Sequence, residues 1–183
     1  MRSKCIIIIL SCLMLAFGTR RAAAQYYGVR VNALALLTGT VNAALEVSIS
    51  EKLSLDVPVF WNPIKAHTIK MQVIAVQPGV RYWLYQPFVG HFIGGHLAAG
   101  RYDTGNDRWH YRGWQAGIGA SYGYSWLLSK RWNLTVEAGG GIYYTRDDKR
   151  DYYTPDDRDA YIYHYRRIML LPSRLEVSFT YLF

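Results

Sequence analysis

The sequence predicts an all-β protein, an eight-stranded antiparallel up-and-down transmembrane β-barrel behind a cleaved N-terminal signal peptide. Three observations predict it. Segments of strand length alternate apolar and polar residues with a period of two. No stretch after the leader approaches the roughly 18 consecutive apolar residues of a spanning helix. Sixteen Tyr, six Trp and sixteen Gly in 183 residues favour strands and turns.

The leader comes first. Arg2 and Lys4 precede an apolar run over residues 5–17, and Ala22-Ala23-Ala24 follow before Gln25, the three regions of a secretory signal. Residues 1–24 are therefore expected to be removed, leaving residues 25–183 as one barrel domain. The run is too short to span a bilayer as a retained anchor. Ile9-Leu10-Ser11-Cys12 resembles a lipidation box, but cleavage there leaves an apolar region of only about seven residues, and the alanine site lies downstream. Cys5 and Cys12 both leave with the leader, so the mature chain has no disulfide, thiolate metal site or cysteine nucleophile. The formal charge of +8 falls to about +4 once Arg2, Lys4, Arg20 and Arg21 are gone. That is a weak footprint for nucleic acid, and basic side chains facing anionic lipid headgroups account for it.

Eight strands follow, at about 27–37, 40–50, 52–61, 69–84, 88–102, 111–127, 131–146 and 174–183. In the second, Val41, Ala43, Leu45, Val47 and Ile49 share one face and Asn42, Ala44, Glu46 and Ser48 the other. The third sets Leu53, Leu55, Val57, Val59 and Trp61 opposite Ser54, Asp56, Pro58 and Phe60; the last sets Leu175, Val177, Phe179, Tyr181 and Phe183 opposite Glu176, Ser178 and Thr180. In the middle strands glycine weakens the phase, least so for Trp114 to Trp126 and for Trp132 to Tyr144. Tight links after the second, fourth and sixth strands alternate with longer polar ones at 62–68, 103–110 and 147–171. Outer-membrane barrels show this arrangement, with short periplasmic turns and longer outer loops.

Period two alone also permits a soluble β-sandwich or a lipocalin-like barrel. The charges decide. Glu46, Asp56, Glu137 and Glu176 lie opposite the apolar face and share the inward one with Arg30, Arg81 and Arg174, which suits a paired polar lumen inside an apolar exterior. Eight strands leave an interior that side chains fill, which disfavours an open pore. Two aromatic girdles are expected at the ends of the apolar band: Trp83, Trp126, Trp132, Tyr181 and Phe183 near the tight turns, Trp61 and Trp114 at the opposite end.

Candidate chemistry is sparse. His96, Ser121 and Glu137 fall on neighbouring strands as a weak candidate triad for an enzyme acting on the acyl chains of lipid; interior packing is the simpler role. His91, His110 and His164 show no metal spacing and His67 stands alone, so neither metal nor cofactor is expected. Gly113, Gly117, Gly119 and Gly123 recur at strand period with no helix following; room for Arg81 and Glu137 is their expected meaning, not a nucleotide loop. Arg150, Tyr152, Tyr153, Tyr161, Tyr163 and Arg166 in the last loop combine residue types suited to contacting proteins or glycans.

Several motifs resemble a family of small Bacteroidetes outer-membrane barrels defined only as a domain of unknown function. They are Val76-Gln77-Pro78-Gly79-Val80-Arg81-Tyr82-Trp83-Leu84, Gly90-His91-Phe92-Ile93-Gly94-Gly95-His96-Leu97, Tyr111-Arg112-Gly113-Trp114, Lys130-Arg131-Trp132-Asn133-Leu134 and the ending Ser178-Phe179-Thr180-Tyr181-Leu182-Phe183. The resemblance covers most of the mature chain. It implies residence in the cell outer membrane among its lipids, recognition of the terminal aromatic by the barrel assembly machinery, and a surface role near fimbrial proteins. It transfers no catalytic residue. Gly79 stands where many members carry an acid, and the cysteine pair of some members is missing, so neither an ion pair nor a disulfide carries over.

Overall fold

The computed structural model describes residues 27–65, 69–106, 109–151 and 161–183. The leader over residues 1–24, His67, Tyr152 and Tyr153 lie outside the described residues. The elements are β1 (Tyr27–Asn32), α1 (Ala33–Leu37), β2 (Val41–Ser48), β3 (Leu53–Lys65), β4 (Ile69–Val76), β5 (Gly79–Trp83), β6 (Gly90–Asn106), β7 (Trp109–Leu127), β8 (Trp132–Asp151) and β9 (Tyr161–Leu182). Every pairing is antiparallel, and β1 bonds to both β2 and β9, which closes the sheet. Both β4 and β5 lie between β3 and β6, so they are two halves of one stave and the barrel has eight.

The interruption has a local cause. Pro78 has no N–H to give the ladder, and the chain opens at Gln77-Pro78 without losing register: Val76 faces Ala99 and Gly79 faces His96, the same count on both strands. The expected single strand over 69–84 is therefore correct in phase and only thinned in its hydrogen bonding, since the Gln77 amide still donates to the Pro58 carbonyl (3.0 Å) and the Pro78 carbonyl accepts from Leu97 (2.9 Å).

Two other boundaries differ from expectation. The first strand stops at Asn32, whose side chain accepts from the amides of Leu34 and Ala35 (3.0 and 3.4 Å) and caps the short helix α1. Ala-Leu-Ala-Leu-Leu imitates strand alternation but consists of strong helix formers. The polar connections expected over 103–110 and 147–171 are largely strand, because β6 to β9 run on and pair out to Gly105–His110 and Asp151–Tyr161. The wall is accordingly uneven, with six residues in β1 and twenty-two in β9.

In β9 a bulge opposite Gly139/Gly140 inserts Ser173, so that Gly139 faces Arg174 and Gly140 faces Pro172. The inward phase switches there. Arg174, Glu176 and Ser178 point inward beyond the bulge, while before it the outward, exposed residues are Ile168 and Leu170.

Around the whole circumference the outer face is apolar and exposed: Val29, Leu45, Val59, Ile74, Leu97, Ile118, Ile142 and Leu175 supply one residue from each stave. Most buried side chains are polar or charged. This is a water-soluble core turned inside out.

Candidate functional site: a charged lumen and an arginine-lined wall

All seven ionisable residues expected inside lie at mid-barrel, each no more than 4% exposed. Alternation along short staves places them: Arg30 on β1, Glu46 on β2, Asp56 on β3, Arg81 on β5, Glu137 on β8, Arg174 and Glu176 on β9. Cross-strand register puts acid beside acid, Glu46 against Asp56 and Glu137 against Glu176. Left alone, such pairs repel. The three guanidinium groups separate them.

Arg30 grips both oxygens of Asp56 (2.8 and 3.0 Å) and lies 3.6 Å from Glu46 and 3.5 Å from Glu176. Arg81 bridges Glu46 (2.5 Å) to Glu137. Arg174 bridges Asp56 (2.9 Å) to Glu137 (3.1 Å), and its second nitrogen donates to the Gln77 carbonyl at 2.9 Å. The thinned ladder at Gln77-Pro78 thus supplies an acceptor across the lumen, a role invisible to pattern reading. Planar five-donor forks suit such multiple bridging, which lysine could not match.

Below this network the short-turn end is stoppered by aromatics. Trp83 is 1% exposed, with its ring centroid 4.7 Å from Phe92 and 6.0 Å from Phe88, and its indole nitrogen donates to Ser54 Oγ at 2.8 Å. Ser54 in turn donates to Glu46, and Arg81 stacks 4.7 Å over Phe92, so stopper and network form one unit. The expectation that Trp83 belongs to an outer girdle is therefore wrong. Trp83 shares the phase of Arg81, two residues earlier, and must face the same way. Phe88 enters the mouth from a turn at φ 68°, a left-handed conformation that a bulky residue adopts only when packing holds it there.

The other expected girdle residues do face outward. Trp126, Trp132 and Phe183 are exposed and Tyr181 half-buried at the short-turn end, where Trp132 packs edge-on against Tyr181; Trp61 and Trp114 are exposed at the opposite end.

His96 and Ser121 are buried, but neither imidazole nitrogen nor the Ser121 hydroxyl has a hydrogen-bond partner, and Glu137 is held by Arg81 and Arg174. No relay joins the three. The glycines of β7 make room for other side chains than expected: a Cβ at Gly113 would overlap Asp147, at Gly117 Tyr143, at Gly119 His96 and at Gly123 Phe92. Gly79 is closed in the same way by His96, so a larger residue there would need His96 to move.

At the long-loop end, Arg150, Tyr163 and Arg166 are exposed on the high wall, and Tyr161 pairs with Asp151 in the ladder. Lys70 and His110 both bond to Asp103 on the outer face, Lys70 at 2.6 Å. Burial alone would raise the Asp103 pKa; the hydrogen bonds from Lys70 and His110 outweigh it and hold the carboxyl below its ordinary range. Among the described residues no group of three His, Cys, Asp or Glu is placed to hold a metal ion.

An apolar exterior, a lumen of four carboxylates bridged by three arginines and a closed ladder define a small eight-stranded β-barrel with a filled interior. The chain belongs to the family described as "Protein of unknown function (DUF3575)", whose model matches residues 6–183. Comparison with curated proteins and with solved structures returns no match to either.

Proposed function

We propose that this protein is a non-enzymatic barrel of the cell outer membrane that presents its high wall, β6 to β9, to partners at the cell surface. One observation carries the reading: the outer face is apolar on all eight staves while the charges are paired inside, an arrangement stable in hydrocarbon and costly in water. The aromatics at both ends of the band support it as interfacial anchors. No helix among the described residues is long and apolar enough to cross a bilayer, so strands would do so. Both described chain ends, Tyr27 and Phe183, lie at the short-turn end, where the Phe183 amide donates to the Tyr27 carbonyl at 2.9 Å; the reading assigns this end to the periplasm.

With the lumen filled by ion pairs and stoppered by Trp83, Phe88 and Phe92, transport through it is disfavoured. Partners would meet Arg150, Tyr163 and Arg166; proteins or glycans, fimbrial subunits among them by resemblance, are the classes these residues suit. The test is direct. The mature chain refolded in detergent should run faster unheated than boiled on a gel, and cell-surface protease should cut the tagged connection at 152–160. Replacing 152–160 with a short Gly-Ser link and Tyr163 with Ala should leave the gel shift intact and abolish capture of surface partners. A chain that stays soluble and monomeric without detergent would overturn the reading.

A further inference from the structure

Cross-strand register places one outward row across the high wall: Trp61, Ile74, Arg101, Trp114, Arg146 and Arg166 face one another on successive staves. Three of the six are arginines. Among the described residues Arg101, Arg146 and Arg166 make no hydrogen bond or ion pair, and Arg146 stands directly opposite Arg166. Like charges so placed destabilise a sheet unless something neutralises them. Asp103, the acid beside Arg101 and Arg112, is already bonded to Lys70 and His110. Asp148, opposite Arg112 on the same face, is bonded to His164, so among the described residues the row keeps an excess of positive charge.

At this row and on both sides of it the wall is hollowed. Two contiguous hollows of about 500 and 610 Å³ share Ile74, Arg101 and Trp114. The upper reaches Arg112 and is also lined by Asp103, whose carboxylate is held by Lys70 and His110; the lower has an apolar floor of Val59, Val76, Ala99 and Ala116, where two small residues lie side by side between bulky neighbours. A groove with guanidinium groups at its mouth and hydrocarbon along its floor matches an amphiphile with an anionic head and a hydrocarbon tail.

We infer that this groove binds a phosphorylated acyl lipid of the outer leaflet, its phosphate on Arg101 and Arg112 and one chain laid over Ala99 and Ala116. The inference rests on the membrane reading above. Guanidinium forks pair with phosphate oxygens in two-point contacts. Trp61 and Trp114 flank the groove at headgroup level, the depth at which such a phosphate would lie. A free anion would use the mouth alone; the floor argues for a lipid.

The full mature chain, refolded into phosphatidylcholine vesicles containing diphosphoryl lipid A or its dephosphorylated form, is extracted in mild detergent, and the retained lipid is measured by mass spectrometry. The unmodified barrel should retain the diphosphoryl form preferentially. Arg101→Gln with Arg112→Gln should cut that preference about tenfold, the scale of one charge-assisted contact. Ala99→Trp should lower retention of both forms, and all variants should keep the gel shift of the folded barrel. Equal retention of the two lipid forms, or no change in the arginine variant, would overturn the groove while leaving the barrel reading intact. So would stripping of the lipid by millimolar inorganic phosphate with no effect of Ala99→Trp, which would mark a free-phosphate site. Failure to insert into either vesicle would overturn the membrane reading and the groove with it.

Discussion

The two faces of this barrel use arginine and tryptophan in opposite states. Inside, Arg30, Arg81 and Arg174 each contact at least two carboxylates, and Trp83 is packed on two phenylalanines with its indole N–H bonded. Outside, the side chains of Arg101, Arg146 and Arg166 have no partner among the described residues, and Trp61 and Trp114 are about half exposed. Residue type does not assign the role; the parity of the position does. An inward arginine is a strut whose loss strands buried acids, and an outward one is a contact awaiting its counter-charge.

Arg81→Met tests the strut most severely. It leaves Glu46 and Glu137 buried without their bridging cation, and breaking such a pair costs about 3–5 kcal/mol. The urea midpoint of the detergent-refolded barrel should fall accordingly. Arg81→Met combined with Glu46→Gln should recover much of the loss, because Glu46 then has only the Arg30 cation at 3.6 Å while Glu137 keeps Arg174 at 3.1 Å. If the double variant were no better than the single one, the network would not be acting through charge balance. Arg101→Met, by contrast, should move the midpoint by less than about 0.5 kcal/mol.

Tryptophan gives the same contrast on a slightly smaller scale. Trp83→Ala empties the stopper and removes the donor to Ser54, a change worth about 3–5 kcal/mol for a buried aromatic. Trp132→Ala loses an exposed ring and its edge contact with Tyr181, about 0.5–1.5 kcal/mol. Comparable losses at both positions, read from the same urea transitions, would mean that Trp83 is not the interior plug described.

How much of this was legible beforehand follows from where alternation survives. Glu46, Asp56 and Glu176 sit in segments whose apolar partners keep strict phase, so their burial could be read from sequence. Trp83 could have been: it stands two residues from Arg81, and its place beside a turn outweighed its parity. Ser173 could not. One bulged residue inverts the phase of β9, and the opposing Gly139-Gly140, without side chains, leaves no pattern to reveal it. Above the aromatic row the signal fades altogether, because polar residues dominate both faces of the extended staves, and strand there reads as loop. The groove was illegible for another reason: it is assembled by register from β3, β4, β6 and β7, and register is not written in any one of them.

Arg146→Gln sharpens the comparison from the outer side. Removing one of two facing arginines should raise stability in phosphatidylcholine by about 0.2–1 kcal/mol, the size of a cross-strand charge term. With diphosphoryl lipid A present the gain should be unchanged, because Arg146 lies across Trp114 from the groove. A loss of stability in both vesicles would mean that Arg146 has a partner within the protein after all.

Asp103 provides the smallest test, since it is the one outer-face acid whose charge is spoken for by two neighbours. Its carboxyl is held below its ordinary value of 3.8, burial opposing and the bonds from Lys70 and His110 prevailing. A depressed folded-state pKa contributes stability that is fully present above the unfolded value and is lost as pH falls through the folded one. The side chains are partly solvated, so the contribution is only about 0.5–1 kcal/mol. Amide exchange along β4 and β6 near Lys70 and Asp103 should therefore be slower in the unmodified barrel than in Asp103→Asn at neutral pH, and the two should converge below the unfolded value. The comparison is between variants because acid also protonates the lumen carboxylates, which lie in both. A difference that persists unchanged into acid would show that Asp103 acts by shape and not by charge, and would return Arg101 and Arg112 to its list of counter-ions.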